Sequence, residues 1–292
     1  MAALAAACSG DDSPVVEPGA PVATATTTAA GGPSVDPAGS VPPVATDPGS
    51  GQVVDGEAPA GGDAPAGTAP PASPPTFPAL DAGGPPGSFA PAVLRPQASA
   101  RVVLELHSAP GVEPSAPTVE HLRATLAATI GKPIEVTTGA AASGATTWSD
   151  RSIREAADTG AATAQGDGTA VLRLLFLHGT FEGDGGILGV AVRGDVAAVM
   201  VDRASSAAGL LGDPQSIVTS VATHEVGHLL GLVDLVLSTG RADPDHPGHS
   251  ANPASVMYWA VESDLISSVL GARPPRDFDA DDLADLRAIA SG

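Results

Sequence analysis

Cysteine is all but missing from this chain: Cys8 is the only one among 292 residues. A single thiol excludes internal disulfides and any metal site built on several cysteines. Positive charge is also scarce, with 13 Lys and Arg against 33 Asp and Glu and a formal net charge of −20. That balance argues against nucleic acid or an anionic membrane surface as a partner. No run reaches the roughly 18 apolar residues of a membrane span. Over residues 9–98 large apolar side chains are nearly absent, Pro, Gly, Ala, Thr and Ser dominate, and Arg95 is the only basic residue against nine acids. Such a segment does not bury enough apolar surface to offset the entropy of ordering it, and is expected to be a disordered, weakly acidic linker.

The rest of the chain has another character. Residues 99–292 carry regular apolar periodicities, and their length of about 195 residues is enough for one core. Alternation in Arg101–His107 reads as a strand, and the spacing in Thr118–Ile130 predicts a helix stopped by Gly131. Further strands are expected at Pro133–Thr138, Ala170–Leu177, Ile187–Val192 and Val196–Val201, with a short helix over Ser149–Ala157. The best-marked helix opens with Asp213 as cap and Pro214 in its first turn, and closes at Gly231. A last helix is expected over Asp279–Ala290. The order implies an α+β fold, a mixed sheet backed by helices.

Cys8 stands in Leu4-Ala5-Ala6-Ala7-Cys8, followed by Ser9 and Gly10. This resembles the lipobox of bacterial lipoproteins, in which the cysteine is acylated and becomes the new N-terminus. Seven preceding residues without Lys or Arg are shorter than a whole signal peptide. Residues 1–8 are therefore expected to be a truncated signal with its lipobox. On this expectation the protein is secreted and lipid-anchored through Cys8 to the outer face of a bacterial cell membrane.

Inside the best-marked helix stands His224-Glu225-Val226-Gly227-His228. Histidines at i and i+4 lie one turn apart on one face and can share a metal, zinc being the ordinary one for this pattern. Glu225, about 100° round the helix, can lie beside a zinc-bound water without ligating the metal. The chain continues Leu229-Leu230-Gly231-Leu232 and later reads His249-Ser250-Ala251-Asn252-Pro253-Ala254-Ser255-Val256-Met257-Tyr258.

These phrases resemble the matrixin branch of the metzincin zinc peptidases, whose helix reads HExGHxLGL and whose downstream text reads HSxxPxSxMY. The resemblance implies His224, His228 and His249 as zinc ligands, Glu225 as general base, and Met257 in a tight turn forming the floor of the site. It also implies Leu188 and Tyr258 along the substrate cleft. In matrixins the third histidine comes three residues after the glycine, where this chain has Asp234. Placing His249 in that role implies an insertion over Val233–Gly248. Asp234 is the rival, as in the snapalysin-like pattern HExxHxxGxxD, and a carboxylate is an acceptable zinc ligand. His246 is a third candidate. A gluzincin reading with Glu262 as ligand fits neither the glycine nor the methionine phrase.

Upstream, Phe181-Glu182-Gly183-Asp184-Gly185-Gly186-Ile187-Leu188 resembles the matrixin phrase FDGxGGxL. The histidine that comes next in the family is Val190 here, so no second, structural zinc is expected. A calcium ion around Asp184 is a further candidate.

The chemistry implied is hydrolysis of peptide bonds in extracellular proteins by a zinc-bound water that Glu225 deprotonates. The substrate would lie extended along the strand near Ile187–Val192, and the protein is expected to be a monomer. The competing reading is a zinc-binding pseudoenzyme serving as a cell-surface binding module, against which an intact Glu225 argues.

Overall fold

A computed structural model describes residues 77–142, 145–209 and 212–292. Cys8, the expected lipobox around it and residues 9–76 of the expected linker lie outside the described residues.

In chain order the elements are α1 (Ala90–Leu94), β1 (Arg101–Ser108), α2 (Ala116–Ile130), β2 (Ile134–Thr138), β3 (Thr147–Trp148), α3 (Asp150–Thr159), β4 (Thr169–Leu177), β5 (Thr180–Phe181), β6 (Gly189–Arg193), β7 (Val196–Met200), α4 (Val201–Ala207), α5 (Pro214–Leu229), a 3-10 helix (Trp259–Glu262), α6 (Ile266–Leu270) and α7 (Ala280–Ser291). The main sheet runs β2-β1-β4-β7-β6. Its first four strands are parallel and only β6, at the edge, is antiparallel.

The sheet is mixed, as expected, but its helices are interleaved with the strands and lie on both faces. The architecture is α/β-like rather than segregated α+β. The reason is visible in β4, where all nine residues are buried. A strand covered on both faces reads as one apolar run instead of an alternation. Leu172, Leu174 and Phe176 join the larger core with α2 and α5. Leu175 and Leu177 point the other way, into a smaller core with Ile153 and Ala157 of α3. On the α3 side a buried ionic cluster replaces part of the packing. There Arg173 Nη1 donates to Asp195 Oδ2 at 2.7 Å, and Glu105 accepts from the Ala162 and Thr163 amides.

The expected linker boundary at residue 98 needs correcting. Phe89, Ala90, Val93 and Leu94 are at most 1% exposed and belong to the main core. Their average surroundings are Pro- and Gly-rich, but Phe89, Val93 and Leu94 fall on one face of a helical turn. Three well-placed apolar side chains suffice to dock α1 against α7 and β4.

α5 is capped as its sequence predicts. Asp213 accepts the Gln215 amide, Pro214 occupies the first turn, and Gly231 comes after the C-cap with φ +82°. Every residue from Ile217 to Leu229 is buried, because the helix lies between β6–β7 and the chain beyond its own C-terminus.

Candidate metal centre

The C-terminal half of α5 carries His224, Glu225 and His228 into the interior. At Gly227 a Cβ would collide with Met257 Sδ, so the glycine of the helix motif lets Met257 close beneath the histidines. Beyond α5 the chain turns through Gly231, and Val233 and Asp234 both adopt positive φ. It then runs out and back as a closed excursion: the Asp243 amide donates to His249 O at 2.7 Å, and Ala242 pairs with Ser250. Ser250 N–H donates to Met257 O at 2.8 Å. The returning strand and the methionine turn are therefore bonded to each other, and His249 is delivered to the histidines of α5.

The three imidazoles form one cluster, with ring centroids 4.7, 5.3 and 5.2 Å apart. His224 Nδ1 lies 2.7 Å from Val256 O. That bond assigns the proton to Nδ1 and leaves the Nε2 lone pair facing the cluster. His224 Nε2 and His228 Nε2 are 3.0 Å apart. Among the described residues, His224, His228, His249 and Glu262 are the one group of three or more metal-ligating side chains, each offering an atom within 4.8 Å of the others.

Of the two rivals for third ligand, neither joins this group. Asp234 turns its Oδ1 onto the Thr239 amide and hydroxyl, both at 2.7 Å, and those bonds lower its pKa. His246 bonds Asp243 and stacks on Trp259 at 4.4 Å and 9°. Glu262, set aside on motif grounds, is present because the 3-10 helix after the methionine turn brings its carboxylate inward. Its Oε1 is 3.0 Å from His249 Nε2 and its Oε2 is 3.7 Å from His224 Nε2.

Two other expectations change. Leu188, expected along the cleft, is fully buried in the core, and its N–H and C=O are bonded to Glu262 O and the Met200 amide. Asp184, the calcium candidate, instead accepts the Gly186 amide in an exposed turn and belongs to no ligating group among the described residues. Tyr258 is half-buried beside Trp259, with ring centroids 5.7 Å apart.

The electrostatics are those of a buried ligand cluster. Burial, with the nearby Glu262 charge, pushes the Glu225 carboxyl well above the ordinary range. Burial and the neighbouring His224 and His249 push His228 well down, which favours the neutral imidazole that binds metals. Burial works against charge on Glu262, but the two histidines beside it hold it well below its ordinary value. Both Glu225 oxygens, and both ring nitrogens of His249, are buried without a hydrogen-bond partner in the protein. Orphaned polar atoms at this depth are costly unless something supplies the missing partner. A tetrahedral zinc with bonds of about 2.0–2.1 Å has ligand atoms about 3.3 Å apart. Three of the pair spacings, 3.0 to 3.7 Å, bracket that value, and all four ligand atoms lie within 4.8 Å of one another, so the donor set fits zinc in chemistry and approximately in size.

No family model matches the chain, and no curated protein sequence matches it. Among solved structures it is similar to archaemetzincin from Methanopyrus kandleri, with a TM-score of 0.46 and 18% identity over 66% of this chain and 97% of that one. It is also similar to a zinc-dependent peptidase from Methanocorpusculum labreanum, with a TM-score of 0.40 and 18% identity over 63% of this chain and 99% of that one.

Proposed function

We propose that the protein is a zinc-dependent endopeptidase, matrixin-like in its motifs, with His224, His228 and His249 as metal ligands and Glu225 as general base. The observation that carries the reading is the convergence of three imidazoles beside a buried carboxylate that has no partner of its own. Zinc held there supplies a Lewis acid that polarises a peptide carbonyl and lowers the pKa of water. Glu225 accepts the proton of the attacking water on a carboxylate oxygen and returns it to the leaving amine nitrogen. Gly189 keeps the base in place by omission, because a Cβ there would collide with Glu225 Oε1. Met257 closes the floor, and half-buried Tyr258 is available to a bound substrate.

The substrates we assign are extracellular proteins or peptides. The setting is a domain tethered to the outer face of a bacterial membrane through lipid on Cys8, a reading supported by the lipobox-like sequence alone. The test of the chemistry is Glu225→Gln. Folding and zinc content should stay as in the parent, while hydrolysis of a casein or quenched-peptide substrate falls by at least ~100-fold, the lower end for general-base catalysis. Unchanged activity in the zinc-replete variant would overturn the mechanism. Absence of hydrolysis in the zinc-replete parent and equally in zinc-replete variants that open the site would leave the binding-module reading.

A further inference from the structure

We propose that Glu262 is a fourth protein ligand at this centre and that the strap Glu262–Asp264 holds the peptidase closed, an inference that rests on the proposed function above. Each carboxylate oxygen of Glu262 faces a different histidine, Oε1 lying 3.0 Å from His249 Nε2 and Oε2 3.7 Å from His224 Nε2. The shorter contact lacks the direction of a hydrogen bond, since His249 Nε2 has no hydrogen-bond partner. That arrangement suits two ligands aimed at one ion. Structural zinc sites are closed by four protein ligands, whereas catalytic ones keep three and an open position. With Glu262 in place this centre is of the closed kind.

The main chain of the same segment occupies the place expected for a substrate. The Leu188 amide donates to Glu262 O at 2.7 Å, and the Asp264 amide donates to Gly186 O at 2.9 Å. Ile187 and Ser263 form an antiparallel pair. The strap is thus a one-residue strand added to the chain entering edge strand β6, where an extended peptide would otherwise pair. Val261 and Ile266, on either side of it, are fully buried, which anchors both ends. The Glu262 side chain is 27% exposed, so it can rotate outward without unpacking the core. An intact base beside a plugged centre describes a latent enzyme whose stopper is part of its own fold.

The experiment uses purified full-length protein stripped of metal and compares it with Glu262→Ala and the near-isosteric Glu262→Gln, each checked for folding by circular dichroism. Zinc affinity is measured by chelator competition. Azide is titrated into the cobalt-substituted forms while the visible spectrum is recorded. Loss of a direct ligand should weaken zinc binding by at least ~10-fold in both variants, the lower end for losing even a supporting group. It should also let azide bind at least ~10-fold more tightly than in the parent, because a coordination position opens. Equal zinc affinity and equal azide affinity in the parent and the folded variants would overturn the proposal. If both shifts occur and no form cleaves peptides, the ligand assignment stands and the peptidase reading falls.

Discussion

His224 and His228 reach a common point because one helical turn separates them, and that much is fixed by covalent geometry. His249 reaches it by a different route, through a backbone tied on both sides. Its carbonyl accepts from Asp243, its amide donates to His246 O, and the next residue bonds Met257 O. Asp234 lies at the offset where a third ligand is most often sought, but its carboxylate is spent on Thr239. Opposite outcomes are therefore expected for two alanine substitutions. His249→Ala should weaken zinc binding by at least ~10-fold, and Asp234→Ala should keep near-stoichiometric zinc. The latter should lose between about 1 and 3 kcal/mol of stability with its hydrogen bonds. Zinc affinity and stoichiometry on both folded variants check this, and metal loss confined to Asp234→Ala would reverse the assignment. Glu262 was not legible in the same way. No helical spacing links it to α5; it arrives through the 3-10 helix after the methionine turn, where the Leu188 amide bonds its carbonyl, a contact between segments distant in sequence.

Short elements behave differently from long ones. α2 and α5 were legible because their apolar periodicity extends over several turns, with Gly131 and Asp213 marking an end and a start, and β4 because it is a nearly continuous apolar run. α1 has five residues and was averaged away by its Pro- and Gly-rich surroundings. α4 comes after β7 with no intervening turn residue, so its first residue, Val201, reads as the last of a strand. The 3-10 helix Trp259–Glu262 has four residues, too few for any period. The neglected α1 nevertheless carries energy. Phe89, Val93 and Leu94 are buried, at about 1.5–3 kcal/mol for each large apolar side chain. Deleting residues 9–76 is expected to leave the urea midpoint of the domain nearly unchanged, given the low apolar content of that stretch. Extending the deletion through residue 95 should cost on the order of 5 kcal/mol, a third or more of the stability of an ordinary domain. Equal midpoints for the two truncations would show that α1 packs without contributing.

At the scale of the whole molecule, the last helix is coupled to the centre through a buried acid. Asp282 in α7 accepts from Ser255 Oγ at 2.8 Å, and the same Ser255 Oγ accepts the Met257 amide at 2.9 Å. One side chain thus links α7 to the turn beneath the histidines. Burial raises the Asp282 pKa from 3.8 to about 6, hydrogen bonds from Asp279 and Ser255 opposing the rise and the charges of Asp279 and Asp285 adding to it. The folded protein therefore holds this proton more tightly than the unfolded chain, and folding takes up a proton between about pH 4 and pH 6. The stability so gained is fully present below the unfolded value and is lost as pH rises through about 6, amounting to on the order of 3 kcal/mol by pH 7. The net charge of −20 slopes the same way, because acidification relieves self-repulsion. Asp282→Asn separates the two effects, since it removes the titrating group and leaves the remaining acids in place. Between pH 5 and pH 7.5 the stability of metal-free Asp282→Asn should gain on the metal-free parent by about 1 to 2 kcal/mol, read from urea unfolding at each pH. A constant difference across that range would mean that Asp282 stays ionised in the folded protein, and that Ser255 and the Asp279 amide solvate its charge well enough to offset the burial.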